Sequence, residues 1–118
     1  MAGLSITVEL HPVLSVVCLE GDLDRLTEPQ LTRTFNRLLT DHTPKIIVDA
    51  AELHFCDSTG LWTFIMAQRR AGELGGGVRL VGAHGPLARL LAVTQLVDLF
   101  PPYASFAQAA HWPLASSK

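Results

Sequence analysis

The sequence has few charged residues and no long apolar run. Only 17% of its 118 residues are charged, and nine Lys and Arg are scattered among eleven Asp and Glu, for a net charge of −2. Direct binding to DNA is not expected, because it requires a basic stripe that neutralises phosphates. No stretch approaches the ~18 apolar residues of a membrane span, and no secretory signal opens the chain. We therefore expect a cytoplasmic protein that makes no contact with a membrane.

Cysteine is also scarce, and histidine forms no ligand pattern. Cys18 and Cys56 lie in apolar, strand-like sequence and lack the paired spacing of a zinc site or a redox motif. We expect both to be reduced thiols in the core. The histidines, none of which forms an i, i+4 pair on a predicted helix, are His11, His42, His54, His84 and His111. Neither a metal nor another cofactor is predicted.

The length and the apolar content predict one domain with a true core. Hydrophobic residues make up 48% of the chain, and five Phe, two Trp and one Tyr can anchor packing. A chain of this size buries roughly 65% of its unfolded surface when it folds. We predict a domain over residues 4–112, a fraying tail over residues 113–118, and a monomer or weak dimer.

The first part of the chain predicts a β-hairpin. Apolar and polar residues alternate from Leu4 to Leu10, which is typical of a strand with one buried face. The segment Val13–Leu19 is rich in β-branched residues and predicts a second strand that is buried on both sides. A loop is expected over Gly21–Leu26.

A helix is predicted to begin at Thr27 and end near His42, before Pro44. Thr27 and Gln30 have the spacing of a capping box. The apolar residues of this helix recur at helical spacing and define one buried face, which comprises Leu31, Phe35, Leu38 and Leu39.

The second half predicts a strand–helix–strand unit followed by shorter elements. The apolar run after Lys45 predicts a strand to Asp49, buried on both faces, and the segment from Ser58 to about Leu74 predicts a helix that a glycine run ends. Arg69 and Arg70, near the end of that helix, are expected to lie in water. The remaining predicted elements are a strand over Val78–Val81, a helix that begins at Gly85, an edge strand over Leu96–Phe100, and a short helix over Phe106–His111 capped by Ser105.

The loop between the central strand and its helix holds the candidate site. Asp57 or Ser58 is expected at the N-cap, where backbone N–H groups are free and the helix dipole favours an anion. A loop of this kind reaches the surface. The Ser58 hydroxyl is therefore predicted to be accessible to a kinase.

The motifs around this serine resemble those of a known family. Asp57-Ser58-Thr59-Gly60-Leu61 after a buried strand, with Gly21-Asp22-Leu23-Asp24 upstream, resembles the anti-sigma factor antagonists, which are small bacterial STAS-domain proteins phosphorylated on the serine that follows the aspartate. The family usually carries Glu where this chain has Asp22. The resemblance covers about Leu4 to His111. It implies an α/β fold with a mixed, mostly parallel sheet of four to five strands and about four helices.

The resemblance also implies a function and partners. The unphosphorylated protein would bind an anti-sigma factor that is a serine kinase and so release a sigma factor. The kinase would then phosphorylate Ser58, and a PP2C-type phosphatase would remove the phosphate. The residues predicted to form the docking face are Asp22, Leu23, Asp24, Asp57, Thr59, Gly60 and Trp62.

Simpler interpretations of these residues stay open at this point. Ser58 could be only a helix cap, and Thr59 could accept the phosphate instead. Gly60 could serve the packing of the first helical turn as well as the approach of a partner. Asp22 and Asp24 could be turn residues that hydrogen-bond their own backbone.

Two other classes of function compete with the switch. A serine hydrolase would need a Gly-x-Ser-x-Gly elbow, but Cys56 stands where the first glycine belongs. The chain is therefore not expected to be an enzyme. A STAS scaffold or accessory subunit, in a stressosome-like or lipid-transport complex, would use the same helix for docking without a sigma factor.

Overall fold

The hairpin and the strand–helix–strand unit form one sheet. The computed structural model describes residues 3–112. Its strands are β1 (Leu4–Leu10), β2 (Ser15–Leu23), β3 (Lys45–Cys56) and β4 (Gly77–Val81). Its helices are α1 (Glu28–Asp41), α2 (Ser58–Glu73), α3 (Gly85–Val93) and α4 (Phe106–Ala110). The predicted tail, residues 113–118, lies outside the described residues.

The four strands lie in the order β1-β2-β3-β4. β1 and β2 are antiparallel, as a short hairpin connection allows, whereas β2 with β3 and β3 with β4 are parallel. The parallel pairs are joined through α1 and α2, because a parallel connection must cross over the sheet. The predicted mixed, mostly parallel sheet with four helices is confirmed for the part of the chain that is described.

The main core lies where α1, α2 and α3 cover one face of the sheet. The predicted apolar face of α1 is confirmed, since all four of its residues are buried. Phe64 of α2 packs edge-on against Phe35 at 6.3 Å between ring centroids and against Phe100 at 6.5 Å. Aromatic pairs at such distances add to the apolar burial.

The opposite face carries a smaller cluster, in which Ala109 of α4 packs with residues of β2 and β3. Arg79 of β4 attaches α4 to this face. Its guanidinium lies 3.8 Å from the Trp112 ring centroid and donates to the carbonyl oxygens of Ala109 and His111 at 2.9 and 3.1 Å. The short helix is thus held by stacking and by charge-assisted hydrogen bonds.

The central strands are longer than predicted. β2 begins at Ser15 and continues to Leu23, through the expected loop, and β3 continues beyond Asp49 to Cys56. The two strands pair over these extensions, although register shifts interrupt the pairing on either side of Gly21. Such bulges break the alternation of buried and exposed residues, and so the sequence there lacks the pattern of a strand.

Two local predictions are wrong. Leu96–Phe100 forms turns rather than an edge strand, and the Leu99 and Phe100 N–H groups donate to the Leu96 carbonyl oxygen. The run is apolar because Phe100 is buried in the main core. Thr27 is the N-cap residue of α1, but its side chain makes no capping hydrogen bond. The predicted cap at Ser105 is confirmed, since its Oγ accepts from the Gln108 N–H at 3.1 Å.

The cysteines differ from one another. Both are free thiols, and Cys56 is buried as predicted, but Cys18 is only partly buried, so its placement in the core is wrong. Burial raises the pKa of the Cys56 thiol to about 12, and the nearby Asp57 carboxylate adds to the shift. The pKa of Cys18 is also raised, by burial and then by the carboxylates of Asp49 and Glu9. Both thiols are therefore protonated at neutral pH.

Candidate functional site at the start of α2

The candidate site lies at the edge of the sheet where β2 and β3 both end. Leu23 and Cys56 pair in register as the last residues of these strands. The Asp57 N–H donates to the Leu23 carbonyl oxygen at 3.2 Å, which joins the start of α2 to the end of β2. The β2–α1 loop and the first turn of α2 therefore lie side by side.

Asp57 caps α2, and Ser58 does not. Asp57 has an extended backbone, and its Oδ1 accepts from the Gly60 N–H at 3.0 Å. Ser58 is the first helical residue; its side chain is exposed and makes no hydrogen bond to any of residues 3–112. The interpretation of Ser58 as only a helix cap is therefore wrong, because Asp57 is the N-cap residue and accepts from the Gly60 N–H. Thr59, by contrast, is only partly exposed.

Asp24 shapes the neighbouring loop. Its Oδ1 accepts from the N–H groups of Leu26 and Thr27 at 2.9 and 3.0 Å. Thr27 Oγ1 accepts from the Asp24 N–H at 3.0 Å and donates to the Asp22 carbonyl oxygen at 2.9 Å. The interpretation of Asp24 as a turn residue is therefore confirmed. The other carboxylate oxygen of Asp24 makes no hydrogen bond in the described part of the chain, so the residue also presents a charge to solvent.

An open depression of about 370 Å³ joins the loop to the helix. It is lined by Asp24, Arg25, Leu26, Asp57 and Thr59. The structure thus brings together Asp24, Asp57 and Thr59, as predicted. It adds Arg25 and Leu26, which sequence reasoning missed. Leu26 is a large apolar residue inside a predicted loop, and this feature could have identified it as a surface residue from the sequence. Its side chain is 81% exposed.

Two residues predicted for the docking face are buried. Leu23 is 0% exposed, and its side chain belongs to the main core. Gly60 is also buried, with the Leu23 side chain and the Cys56 sulfur directly against its Cα. Their assignment to an exposed docking face is wrong in this structure. Of the two interpretations of Gly60, the structure supports packing.

The other two predicted residues, Asp22 and Trp62, are not among the described residues that line the depression. Asp22 is partly buried, and its backbone N–H donates to the Gly3 carbonyl oxygen at 2.9 Å. Trp62 is 56% exposed, which confirms that it points out of the core. It lies one turn along α2 from Ser58, beside a groove between α1 and α2 that Thr59 also lines. The exposed surface near Ser58 is therefore both acidic and apolar.

Two features are absent from residues 3–112, a cluster of metal-ligating side chains and a helix that could span a membrane. Within that range no three His, Cys, Asp or Glu side chains lie close enough together to bind a metal ion. No helix there has both the length and the apolar character needed to cross a bilayer. The exposed groups that remain for chemistry or binding at this site are a hydroxyl, carboxylates, a guanidinium and apolar side chains.

Comparison with known proteins identifies the family. A family model described as "Mlab, STAS domain" matches residues 6–101. The chain belongs to the STAS domain family. This confirms the family predicted from the motifs around Ser58 and Asp22, and it confirms the fold that this family implies.

Relatives of this STAS chain carry related names. It is 28% identical over 105 residues to the anti-sigma F factor antagonist of Paenibacillus polymyxa, covering 86% of this chain and 87% of that one. The crystal structure of an anti-sigma factor antagonist from Mycobacterium paratuberculosis is 29% identical, covers 90% of each chain and has a TM-score of 0.78. The Bacillus cell fate determinant SpoIIAA in its phosphorylated form is 19% identical, covers 89% of this chain and 96% of that one, and has a TM-score of 0.72, which shows a shared fold.

Proposed function

We propose that this STAS domain is an anti-sigma factor antagonist that is switched by phosphorylation of Ser58. Unphosphorylated, it binds an anti-sigma factor that is also a serine kinase, and this releases a sigma factor. The names of its relatives support the class of function. The observation that carries the proposal is that the Ser58 hydroxyl is exposed and free of any capping role, because Asp57 caps the helix.

The position of Ser58 suits a reversible modification. A phosphate adds −1.5 to −2 charges at the first turn of α2, where the helix dipole and free N–H groups favour an anion by about 0.3–1 kcal/mol. Within residues 3–112 the Ser58 hydroxyl makes no hydrogen bond that phosphorylation would break. The domain should therefore keep its fold when Ser58 is phosphorylated.

A bound partner would not tolerate the same charge. The surface beside Ser58 already carries the carboxylates of Asp24 and Asp57, and among the described residues that line the depression Arg25 is the one cation. A partner packed over this surface would bury the phosphate beside like charges, at a cost in repulsion and desolvation. A loss of ~3 kcal/mol would weaken binding more than a hundredfold, which is enough for a switch. A PP2C-type phosphatase would restore the binding form.

The docking surface that we propose differs from the one that sequence reasoning favoured. Its exposed or partly exposed residues surround Ser58, and Leu23 and Gly60 support them from below. Arg25 and Leu26 join the surface because they line the depression together with Asp24. The full set is Asp22, Asp24, Arg25, Leu26, Asp57, Ser58, Thr59 and Trp62.

The experiment uses the histidine-kinase-like ATPases encoded in the source genome, each purified and mixed with this chain, ATP and Mg²⁺. Mass spectrometry should locate the phosphate on Ser58 in the unvaried chain and in Thr59→Val, and find none in Ser58→Ala. Affinity for the same kinase should be equal for the unvaried chain and Ser58→Ala, and at least a hundredfold lower for Ser58→Asp. Tight binding of both variants would contradict the switch.

Asp24 allows a second test of the surface. Because its Oδ1 holds the loop, reversing its charge would also disturb the fold. Asp24→Asn keeps an oxygen in that place and removes only the charge. We expect weaker binding to the kinase with an unchanged melting temperature; unchanged affinity would remove Asp24 from the interface.

The chain is not proposed to act as an enzyme. Ser58 is the first residue of α2, after the Asp57 cap, and does not lie in a Gly-x-Ser-x-Gly elbow, because Cys56 replaces the first glycine. A serine-reactive phosphonate should leave the purified protein unlabelled.

The second candidate is a STAS scaffold or accessory subunit, in a stressosome-like or lipid-transport complex. The exposed Trp62 would serve such docking equally well, and neighbouring genes for transport rather than for a kinase and a sigma factor would favour it.

A further inference from the structure

A groove between α1 and α2 extends away from the Ser58 end of the molecule. It has a volume of about 420 Å³. Its floor is apolar and buried, with Phe35 and Leu39 from α1 and Ala67 from α2. One wall consists of Trp62 and Met66, which are 56% and 42% exposed. The groove therefore leaves two large apolar side chains of α2 in water.

The groove is charged at its ends. Glu28 lies at the end where α1 and α2 both begin, and Arg70 lies at the far end. Arg70 donates to Asn36 Oδ1 at 3.0 Å and to Thr40 Oγ1 at 3.2 Å, both of which are neutral. Within residues 3–112 it has no carboxylate partner, and the remaining N–H groups of its guanidinium are unused. The expectation that Arg70 simply lies in water is therefore incomplete, because the side chain bridges the two helices across the groove.

The groove is continuous with the surface around Ser58. Thr59 lines both the groove and the depression that holds Asp24 and Asp57. From Thr59 to Arg70 the groove follows α2 for ~16 Å, since a helix rises 1.5 Å per residue. A protein that covers Ser58 would meet the open end of the groove without a break in the surface.

The residue types favour a protein helix over a small molecule. Trp, Met and Arg are enriched at the centres of protein interfaces, and Trp and Arg are frequent hot spots. An apolar groove between two helices, with charges at its ends, is a common binding site for an amphipathic helix. In the groove of this chain Trp62 and Met66 supply the apolar surface. Glu28 and Arg70 supply the charges at its ends.

We propose that this groove receives one amphipathic helix of the anti-sigma partner, and this inference rests on the function proposed above. The apolar stripe of that helix packs on Trp62 and Met66. A carboxylate of the helix pairs with Arg70, and a basic residue two to three turns away, ~11–16 Å, pairs with Glu28. The groove thus supplies affinity and orientation, while Ser58 at its open end supplies the switch.

The test measures the affinity of variants for the kinase that phosphorylates Ser58. Trp62→Ala and Arg70→Glu should each weaken binding about tenfold or more, as expected at interface hot spots. The matched controls are Phe106→Ala, an exposed aromatic residue on α4, and Arg69→Glu, the neighbouring arginine that does not line the groove. Both controls should bind within about twofold of the unvaried chain, which is the usual effect outside hot spots. Thermal unfolding of each variant verifies that it is folded.

Charge exchange identifies the partner helix. If changing one acidic residue of the kinase to Lys restores its affinity for Arg70→Glu, this result would support the pairing directly. If Trp62→Ala and Arg70→Glu bind as tightly as their controls while Ser58→Asp still abolishes binding, the groove proposal is overturned and the switch stands. If the unvaried chain dimerises, and Trp62→Ala dissociates the dimer without changing kinase affinity, the occupant is a second copy and the proposal is also overturned. If no kinase binds the unvaried chain, both proposals fail together.

Discussion

Gly60 of α2 lies directly against Leu23, the last residue of β2. A Cβ atom at residue 60 would lie 2.6 Å from Leu23 Cγ and 3.0 Å from the Cys56 sulfur. Atoms at 2.6 Å overlap, so α2 can begin this close to the two central strands only with glycine. This contact holds the first turn of α2, and with it Ser58, at the end of β2.

Gly60→Ala is expected to destabilise the domain by about 1–3 kcal/mol, because the added methyl group overpacks the contact with Leu23. Gly72 is the control, since it lies on the same helix and a Cβ there would meet nothing within 4 Å. Gly72→Ala should stabilise by about 0.5–1 kcal/mol through helix propensity. Urea unfolding of both variants measures the difference. Equal effects of the two substitutions would show that the contact is looser than described.

Asp57→Ala should lower the free energy of unfolding by about 0.5–2 kcal/mol, since the Gly60 N–H loses its capping acceptor. Ser58→Ala should change it by less than about 0.5 kcal/mol, because the hydroxyl is exposed and makes no hydrogen bond in the described part of the chain. Thermal and urea denaturation provide the comparison. A larger loss with Ser58→Ala than with Asp57→Ala would mean that the serine has a structural role.

The buried thiol of Cys56 should make stability depend on alkaline pH. Its folded pKa is about 12, above the ordinary value of 9.0, so well below pH 9 the thiol is protonated in both states and contributes no pH dependence. As pH rises from 9 toward 12, the unfolded chain loses this proton first and the free energy of unfolding falls by up to ~1.4 kcal/mol per pH unit. Urea unfolding between pH 8 and 10.5 measures the slope. Cys56→Ala should be less stable throughout but have a shallower slope, whereas identical slopes would contradict the shift.

Arg79→Ala should release α4 from β4 and lower stability by about 1–3 kcal/mol, because two charge-assisted hydrogen bonds and the stacking on Trp112 are lost. In a Trp62→Phe background, the fluorescence of Trp112 should shift to longer wavelength as the indole becomes hydrated. Arg89→Ala, which removes an exposed arginine on α3, is the control. An unshifted spectrum in Arg79→Ala would show that α4 is held by other contacts.

Elements with a local sequence pattern are predicted correctly. The alternation over Leu4–Leu10, the apolar face of α1 and the glycine run after α2 each indicate their element directly. The ends of β2 and β3 are predicted wrongly, because strands with register shifts lose the periodicity that identifies them. The strand predicted at Leu96–Phe100 is also wrong, because the apolar run there reflects burial of Phe100 in turns rather than pairing in a sheet.

The same distinction holds at the site. The motifs around Ser58 by themselves determined the family and the start of α2 at this serine, because cap and helix signals follow one another along the chain. Only the tertiary structure decided which residues face solvent. Leu23 and Gly60 are adjacent in the motifs to partly exposed residues, yet they pack on each other. Arg25, Leu26 and Arg70 reached the candidate surface because separate elements converge there, and a contact between distant segments leaves no local periodicity in the sequence.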